Sequence, residues 1–231
     1  MDQHTSLSDP KHKLRYPEVQ AQEGLEDWRF FLVKLHARFR TGSFVKGLEL
    51  VTRITEAAEA ANHHPDVVLT YPQVDVDLHS HDVGGVTSRD VELARAISEI
   101  AAELGVEAVP REVSTLELAL DVPDADQVRP FWAAVLGYEF HDTWPEVSDP
   151  GGRNNTLWFQ QAPGATGEVQ QRFHLDIVVP REVAEERVQA AVAAGGTLVS
   201  EDEVPAFWVL ADAHGNKVCV CTADGREPSG E

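Results

Sequence analysis

Cysteine, methionine and long apolar runs are scarce in this chain of 231 residues, which holds two cysteines and one methionine. Cys219 and Cys221 lie on one predicted strand and face the same side, which favours buried packing over a disulfide or a metal site. No run of about 18 apolar residues occurs, so no membrane-spanning helix is predicted. Residues 1–10 are polar and lack the apolar core of a signal peptide, which favours the cytoplasm.

Basic residues are also few. The chain has 19 Lys and Arg against 39 Asp and Glu, a formal net charge of −20. A protein that binds nucleic acid needs clustered Lys and Arg to neutralise phosphates, so the composition disfavours such a partner. The length fits one large domain or two small ones, and the hydrophobic fraction of 42% is that of a globular protein.

Histidines, in contrast, form a distinctive pattern. Pro65 cannot continue a helix and biases His64 away from helical angles, so His63 and His64 should lie at a helix end. A third histidine, His81, ends the next alternating stretch. Imidazole is the usual proton carrier at neutral pH because its ordinary pKa lies nearest neutrality. The pattern predicts a site that moves protons.

Hydrophobic periodicity predicts the order β-β-α-β-β-α over residues 24–105, after a mobile tail at 1–23. The first helix should begin at Thr41 or Ser43 and end near Asn62. Thr87 and Asp90 form a variant capping box that opens the second helix. The strand before it alternates. One face carries Val74, Val76, Leu78 and Ser80, and the other carries Asp75, Asp77, His79 and His81.

An internal repeat follows a predicted linker at residues 106–114. Residues 115–225 contain two copies of a β-α-β-β-β unit, and residues 226–231 form a short tail. Within the repeat, Glu117 stands where His174 stands.

The histidine pattern suits a substrate better than a metal. His63 and His64 are neighbours whose rings diverge, so they are placed to contact two atoms of one substrate rather than to bind one ion. Glu59 lies one helical turn before His63 and could orient an imidazole. Asp90, at a helix start, is expected to act as a cap.

The stretch from Glu59 to Asp66, together with Tyr71, the strand to His81-Asp82, Gly84-Gly85 and Arg89-Asp90, resembles pterin-4a-carbinolamine dehydratase. The resemblance implies an α+β fold with a four-stranded antiparallel sheet and helices on one face. It also implies a hydro-lyase that removes water from 4a-hydroxytetrahydropterin to give quinonoid dihydropterin, with no metal and no organic cofactor. The pterin would be its substrate, and self-association fits the fold.

The same resemblance assigns the site residues by position. His63, His64 and His81 match the family's active-site histidines. Glu59 matches its acidic residue and Trp28 an aromatic at the pocket rim, with Asp90 and His79 added as neighbours of the substrate. We expect His63 to act as base toward the pterin nitrogen and His81 as acid toward the hydroxyl, with His64 positioning the substrate or sharing the acid role.

Two departures from the family are visible. Asn62 stands where the family often has Asp, which removes a charge beside the histidines. His79 adds a fourth imidazole, which is expected to perturb His81 by like-charge repulsion, unless Asp75 and Asp77 make that face a solvated one.

Residues 115–225 resemble the glyoxalase/bleomycin-resistance superfamily, also called vicinal oxygen chelate. The residues that carry this resemblance are Phe131 to Tyr138, Phe173 to Asp176 and Asp212 to Asn216. Metal-dependent members bind a divalent ion with His, Gln or Glu on their strands, and Glu117 and His174 are weak candidates for such ligands. Cys219 falls where a closing Glu is often found, so a complete site for a hard metal is not expected.

Three readings follow. The leading one is a cytoplasmic dehydratase fused to a glyoxalase-like domain. The second is a non-catalytic module that uses the glyoxalase-like pocket to bind a small molecule, or that serves oligomerisation. The third is a metal-dependent lyase or dioxygenase in the C-terminal domain. None of them involves nucleic acid or a membrane.

Overall fold

The computed structural model describes residues 9–140, 144–167, 169, 173, 175–222 and 224. The chain forms two compact units, Met1–Thr115 and Leu116–Glu231. Each unit mixes helices with strands and has its own hydrophobic core. No helix in the described ranges is both long and apolar enough to cross a membrane.

The first unit is an antiparallel sheet with two long helices. Its strand order is β1-β2-β4-β3, and β5 pairs with β2. The elements are α1 (Tyr16–Gln20), β1 (Arg29–Phe31), β2 (Lys34–Arg40), α2 (Phe44–Ala61), β3 (Asp66–Thr70), β4 (Gln73–Leu78), α3 (Ser88–Glu103) and β5 (Glu107–Ala108). The α+β fold class expected from the sequence is confirmed.

The alternation of β4 decides which face of the sheet the helices cover. Val74, Val76 and Leu78 are fully buried in the core that α2 and α3 complete. Asp75 and Asp77 lie on the other face, where they are half-buried and paired rather than merely solvated. Their partners come from β2: Arg38 Nε lies 2.5 Å from Asp75 Oδ1, and His36 Nδ1 lies 2.7 Å from Asp77 Oδ1.

The first long helix begins and ends where local signals place it. The Ser43 side chain accepts a hydrogen bond from the Lys46 backbone at 3.1 Å. Asn62 ends the helix with φ at 48°, a left-handed conformation that Asn tolerates well. The buried stripe is Gly47, Leu50, Ile54 and Ala58. Phe44 and Leu48, which the periodicity also places on the inner face, are instead about half exposed.

The segment predicted to be a mobile tail is part of the first unit from residue 9 onward. Leu14 and Val19 are buried in the core, and α1 lies between Arg15 and Ala21. The Leu14 backbone N–H donates to Val86 O at 2.7 Å. The expected linker 106–114 likewise contains β5. Two isolated apolar residues in a polar stretch have no period, so only tertiary packing identifies them as core.

Replacing Leu14 with Ala is therefore expected to destabilise the first unit by about 2–4 kcal/mol, the cost of deleting a buried leucine side chain. Urea unfolding monitored by circular dichroism measures the change. Leu48→Ala is the matched control, because Leu48 is 54% exposed on a helix and its loss should change little. Equal stabilities for the two variants would contradict the burial of residue 14.

The second unit contains the repeated motif. Both sheets have the same order, β6-β9-β8-β7 and β10-β13-β12-β11, and in each the first strand pairs in parallel with the last. The elements are β6 (Leu118–Val122), α4 (Ala125–Leu136), β7 (Glu139–Phe140), β8 (Glu146–Ser148), β9 (Leu157–Gln161), β10 (Asp176–Val178), α5 (Arg181–Ala193), β11 (Thr197–Ser200), β12 (Phe207–Ala211) and β13 (Lys217–Cys221).

Candidate active site

One buried carboxylate, that of Asp90, joins three parts of the first unit. Its Oδ1 lies 2.7 Å from Nε2 of His63, just beyond the end of α2. Its Oδ2 accepts from the Ser80 hydroxyl at 2.7 Å, just beyond β4. The same oxygen accepts from the Thr87 backbone N–H at 2.7 Å, which completes the predicted capping box of α3. The ends of α2, β4 and the start of α3 therefore meet at one side chain.

The carboxylate of Asp90 is stabilised as an anion. Burial opposes its ionisation, but hydrogen bonds from His63, Ser80 and Thr87 outweigh that cost and lower its pKa. It is also the third residue of a helix, where the N-terminal partial positive charge favours an anion. An ionised carboxylate only accepts hydrogen bonds, so the proton between it and His63 belongs to the imidazole.

The tautomer of His63 follows from this contact. Because Nε2 donates to Asp90, the lone pair of the neutral ring lies on Nδ1. Nδ1 has no hydrogen-bond partner among the described residues, and the side chain is only 9% exposed. Asp90 also offsets the positive charge that His63 would gain on accepting a proton. An imidazole oriented by a carboxylate in this way has the geometry that a general base requires.

His64 has a different environment from His63. Its side chain is exposed, and Nε2 lies 3.1 Å from Glu59 Oε1. The spacing of Glu59 suggested a contact with His63, whose partner is instead Asp90. Asn62, which directly precedes the two histidines, ends the helix with a left-handed backbone. Asn62 is thus a helix cap, which accounts for it without any charge at this position.

His79 and His81 follow directly after the end of β4, and their rings are in contact. Their ring centroids are 4.0 Å apart at an interplanar angle of 57°, with His79 half-buried and His81 exposed. Burial, then Lys34 and His81, lowers the pKa of His79 to about 4, although Asp66 and Asp90 oppose the shift. The part of this shift that comes from His81 is the like-charge repulsion expected between the two rings, and His79 is uncharged at neutral pH. His64 and His79 each lie two residues beyond the paired Asp66 and Asp77, at the same end of their strands.

The shifted pKa of His79 makes the stability of the protein depend on pH. Because the folded pKa of about 4 lies below the ordinary 6.5, the unfolded chain takes up this proton first on acidification. Stability attributable to the neutral ring is complete above pH 6.5 and is lost toward pH 4. We expect His79→Phe, which cannot titrate, to lose less stability than the wild type between pH 7.5 and 4.5 in thermal unfolding. Equal losses would contradict the shift.

Two of the residues predicted to bind substrate, Trp28 and Asp90, are buried in the first unit. Trp28 is 3% exposed, and its indole N–H donates to Ala94 O at 3.2 Å and to the Ser98 hydroxyl at 3.1 Å. It is a core residue packed on α3, not an aromatic at a pocket rim. Asp90 has no exposed surface, so it positions His63 and Ser80 rather than contacting a substrate.

Sequence reasoning missed Ser80 and Lys34. Ser80 sits on the apolar face of the alternating strand, where a lone hydroxyl is 1% exposed and needs a buried partner. That requirement was a signal that it pairs with a buried polar group. Lys34 opens β2, lies 3.3 Å from Asp66 and acts on His79. No local pattern marks it, because its neighbours come from other strands.

The two weak candidates for metal ligands in the second unit, Glu117 and His174, stay predictions. Glu117 is exposed just before β6, and His174 lies outside the described residues. Within the described part of the chain, no three His, Cys, Asp or Glu side chains are grouped as a metal would require. Pockets of about 210 and 220 Å³ are present. The lining of the pocket of about 220 Å³ includes Asp121, Thr166, His214 and Asn216, and Nε2 of His214 is buried without a partner in the described structure.

Known proteins resemble the two units separately. The family model for pterin 4 alpha carbinolamine dehydratase matches residues 12–100, and a glyoxalase-like domain model matches 117–221. A relative in Picosynechococcus sp., provisionally named pterin-4-alpha-carbinolamine dehydratase, is 36% identical over 38% of this chain and 97% of its own length.

Two solved structures are among those that align with parts of the chain. A transcriptional coactivator/pterin dehydratase from Brucella melitensis aligns at 28% identity over 38% of this chain and 98% of its own, with a TM-score of 0.37. A glyoxalase/bleomycin resistance protein from Albidiferax ferrireducens aligns at 20% identity over 46% and 95%, with a TM-score of 0.36. Its second unit matches the glyoxalase-like domain model, and through its first unit the chain belongs to the pterin-4-alpha-carbinolamine dehydratase family.

Proposed function

We propose that the first unit dehydrates 4a-hydroxytetrahydropterin to quinonoid dihydropterin by histidine general acid–base catalysis. The contact of 2.7 Å between His63 and Asp90 carries this proposal, because it makes one imidazole a base of defined tautomer. The relatives' name and the family match support the reaction class.

The chemistry balances with two proton transfers and no change of oxidation state. His81, as an imidazolium, gives a proton to the hydroxyl on C4a, and the C4a–O bond breaks with release of water. The proton on the neighbouring ring nitrogen passes to Nδ1 of His63. The electron pair of that N–H bond becomes the new double bond between the nitrogen and C4a.

The two roles suit the surroundings of the two rings. His63 is enclosed and held by an anion, which favours a base that must be neutral before the reaction and cationic after it. His81 is exposed, so it can recover its proton from water after each turnover. His64, also exposed and paired with Glu59, takes the role of positioning the substrate in this proposal.

The direct test is the dehydration rate of 4a-hydroxytetrahydropterin generated in situ, with and without a chelator. We expect the full-length protein to exceed the buffer rate by at least about 10²-fold, since positioned acid–base groups supply factors of this size. The rate should not depend on the chelator. A rate equal to that of buffer would refute the enzymatic proposal for the first unit.

The second candidate role is that of a small-molecule binder, and the two half-open pockets of the second unit are its candidate sites. Their volumes, about 210 and 220 Å³, are below the range of about 300–1,000 Å³ typical of drug-sized ligands, so a fragment-sized molecule is the appropriate occupant. Asp121 and His214 supply polar groups for such a ligand. If the first unit proves inactive, this binding role becomes the leading function of the chain.

A further inference from the structure

His79 and His81 are held side by side by the residue between them. Ser80 points inward, where its hydroxyl donates to Asp90 at 2.7 Å. Successive side chains of an extended segment point to opposite sides, so the two histidines share the other side. Their centroids, 4.0 Å apart, place the rings in contact. The contact thus depends on the same carboxylate that orients His63.

Apart from its contact with His79, the ring of His81 has few interactions in the described structure. It is exposed, and it makes no hydrogen bond to any of the described residues. His79, in contrast, is half-buried and directly follows the end of β4. An exposed side chain that must deliver a proton loses rate if it samples several rotamers, because reacting groups need to be held in a productive geometry.

We propose that His79 is a positioning residue that fixes the His81 ring for proton delivery. The inference rests on the proposed dehydration and assigns a role to an imidazole that the three-histidine pattern does not include. It makes His79 part of the proton-transfer apparatus without contact with the substrate.

Charged groups from every neighbouring element surround His79. They are Lys34 on β2, Asp66 on β3, Asp90 on α3 and His81 on its own segment, with the His36–Asp77 pair farther along the same sheet face. Because the pKa of His79 is lowered to about 4, its ring is neutral when His81 carries the proton that it donates. A second cation at 4.0 Å would repel an imidazolium, whereas a neutral ring can pack against it.

The kinetic test compares two substitutions in the full-length protein. His79→Ser removes the ring and should lower kcat about tenfold with KM changed less than about twofold, because His81 loses orientation rather than affinity for the substrate. His79→Phe keeps a neutral ring and should restore most of kcat. A serine variant with wild-type kcat, or a phenylalanine variant as slow as the serine variant, would overturn the proposal.

A spectroscopic readout separates this role from the activity itself. The Cε1–H signal of His81, assigned with His81→Gln, should carry a ring-current shift in the wild type and in His79→Phe, and lose it in His79→Ser. Absence of that shift in an active wild type overturns the positioning role alone. An inactive wild type that shows the shift overturns the proposed function, and with it the role of His79, while leaving the ring contact intact.

Discussion

Replacing His63 with Ala should lower kcat for dehydration by about 10²–10⁴-fold, the range that a positioned general base contributes. The ring is the group whose Nδ1 lone pair is directed by the bond from Nε2 to Asp90. Removing it leaves the substrate nitrogen without an acceptor of defined geometry. Steady-state rates on pterin generated in situ measure the loss, and circular dichroism checks that the variant folds.

The chain offers a close control for this experiment. His36 and Asp77 form a second half-buried pair, also at 2.7 Å, on the face of the sheet away from the helices. His36→Ala removes an imidazole–carboxylate contact of the same length that involves none of the proposed reacting groups, so it should leave kcat within about twofold of wild type. Equal losses in the two variants would show that the effect is general and would refute the assignment of His63 as base.

Asp90→Asn should affect activity and stability together. The amide cannot accept from His63, Ser80 and Thr87 as the carboxylate does, so at least one buried donor loses its partner. We expect a loss of about 3 kcal/mol in the free energy of unfolding, as for a broken buried ion pair. We also expect kcat to fall by at least about 10²-fold, because Asn allows the other tautomer of His63.

The stability of the wild type should also depend on the charge of Asp90. Its folded pKa lies below the ordinary value, so its contribution is complete above the unfolded pKa and is lost as the pH falls through the folded one. In Asp90→Asn that part of the acid dependence should disappear. Asp82→Asn, at an exposed carboxylate paired with Arg89, is the control and should alter unfolding little. An Asp90→Asn variant with the stability and kcat of the wild type would contradict the proposal that Asp90 holds His63, Ser80 and Thr87 together.

Local sequence patterns were sufficient to predict secondary structure where the residues that define an element lie close together in the chain. The alternation of Val74, Val76 and Leu78 specified both the strand and its buried face, because a strand places alternate residues on one side. The capping box formed by Thr87 and Asp90, three residues apart, correctly predicted the start of α3. The repeated β-α-β-β-β order of the second unit was readable for the same reason, since each copy is defined by its own periodicity.

The sequence by itself determined the two kinds of domain and the three histidines that the proposed reaction uses. Only the tertiary structure decided that Asp90 orients His63 across 27 residues, that Trp28 is core, and that His79 remains neutral against His81. The physical reason is the range of the interactions. Capping and amphipathic patterns act between residues a few positions apart, whereas burial and hydrogen bonding of a charged group depend on side chains that meet only after the sheet and helices have packed.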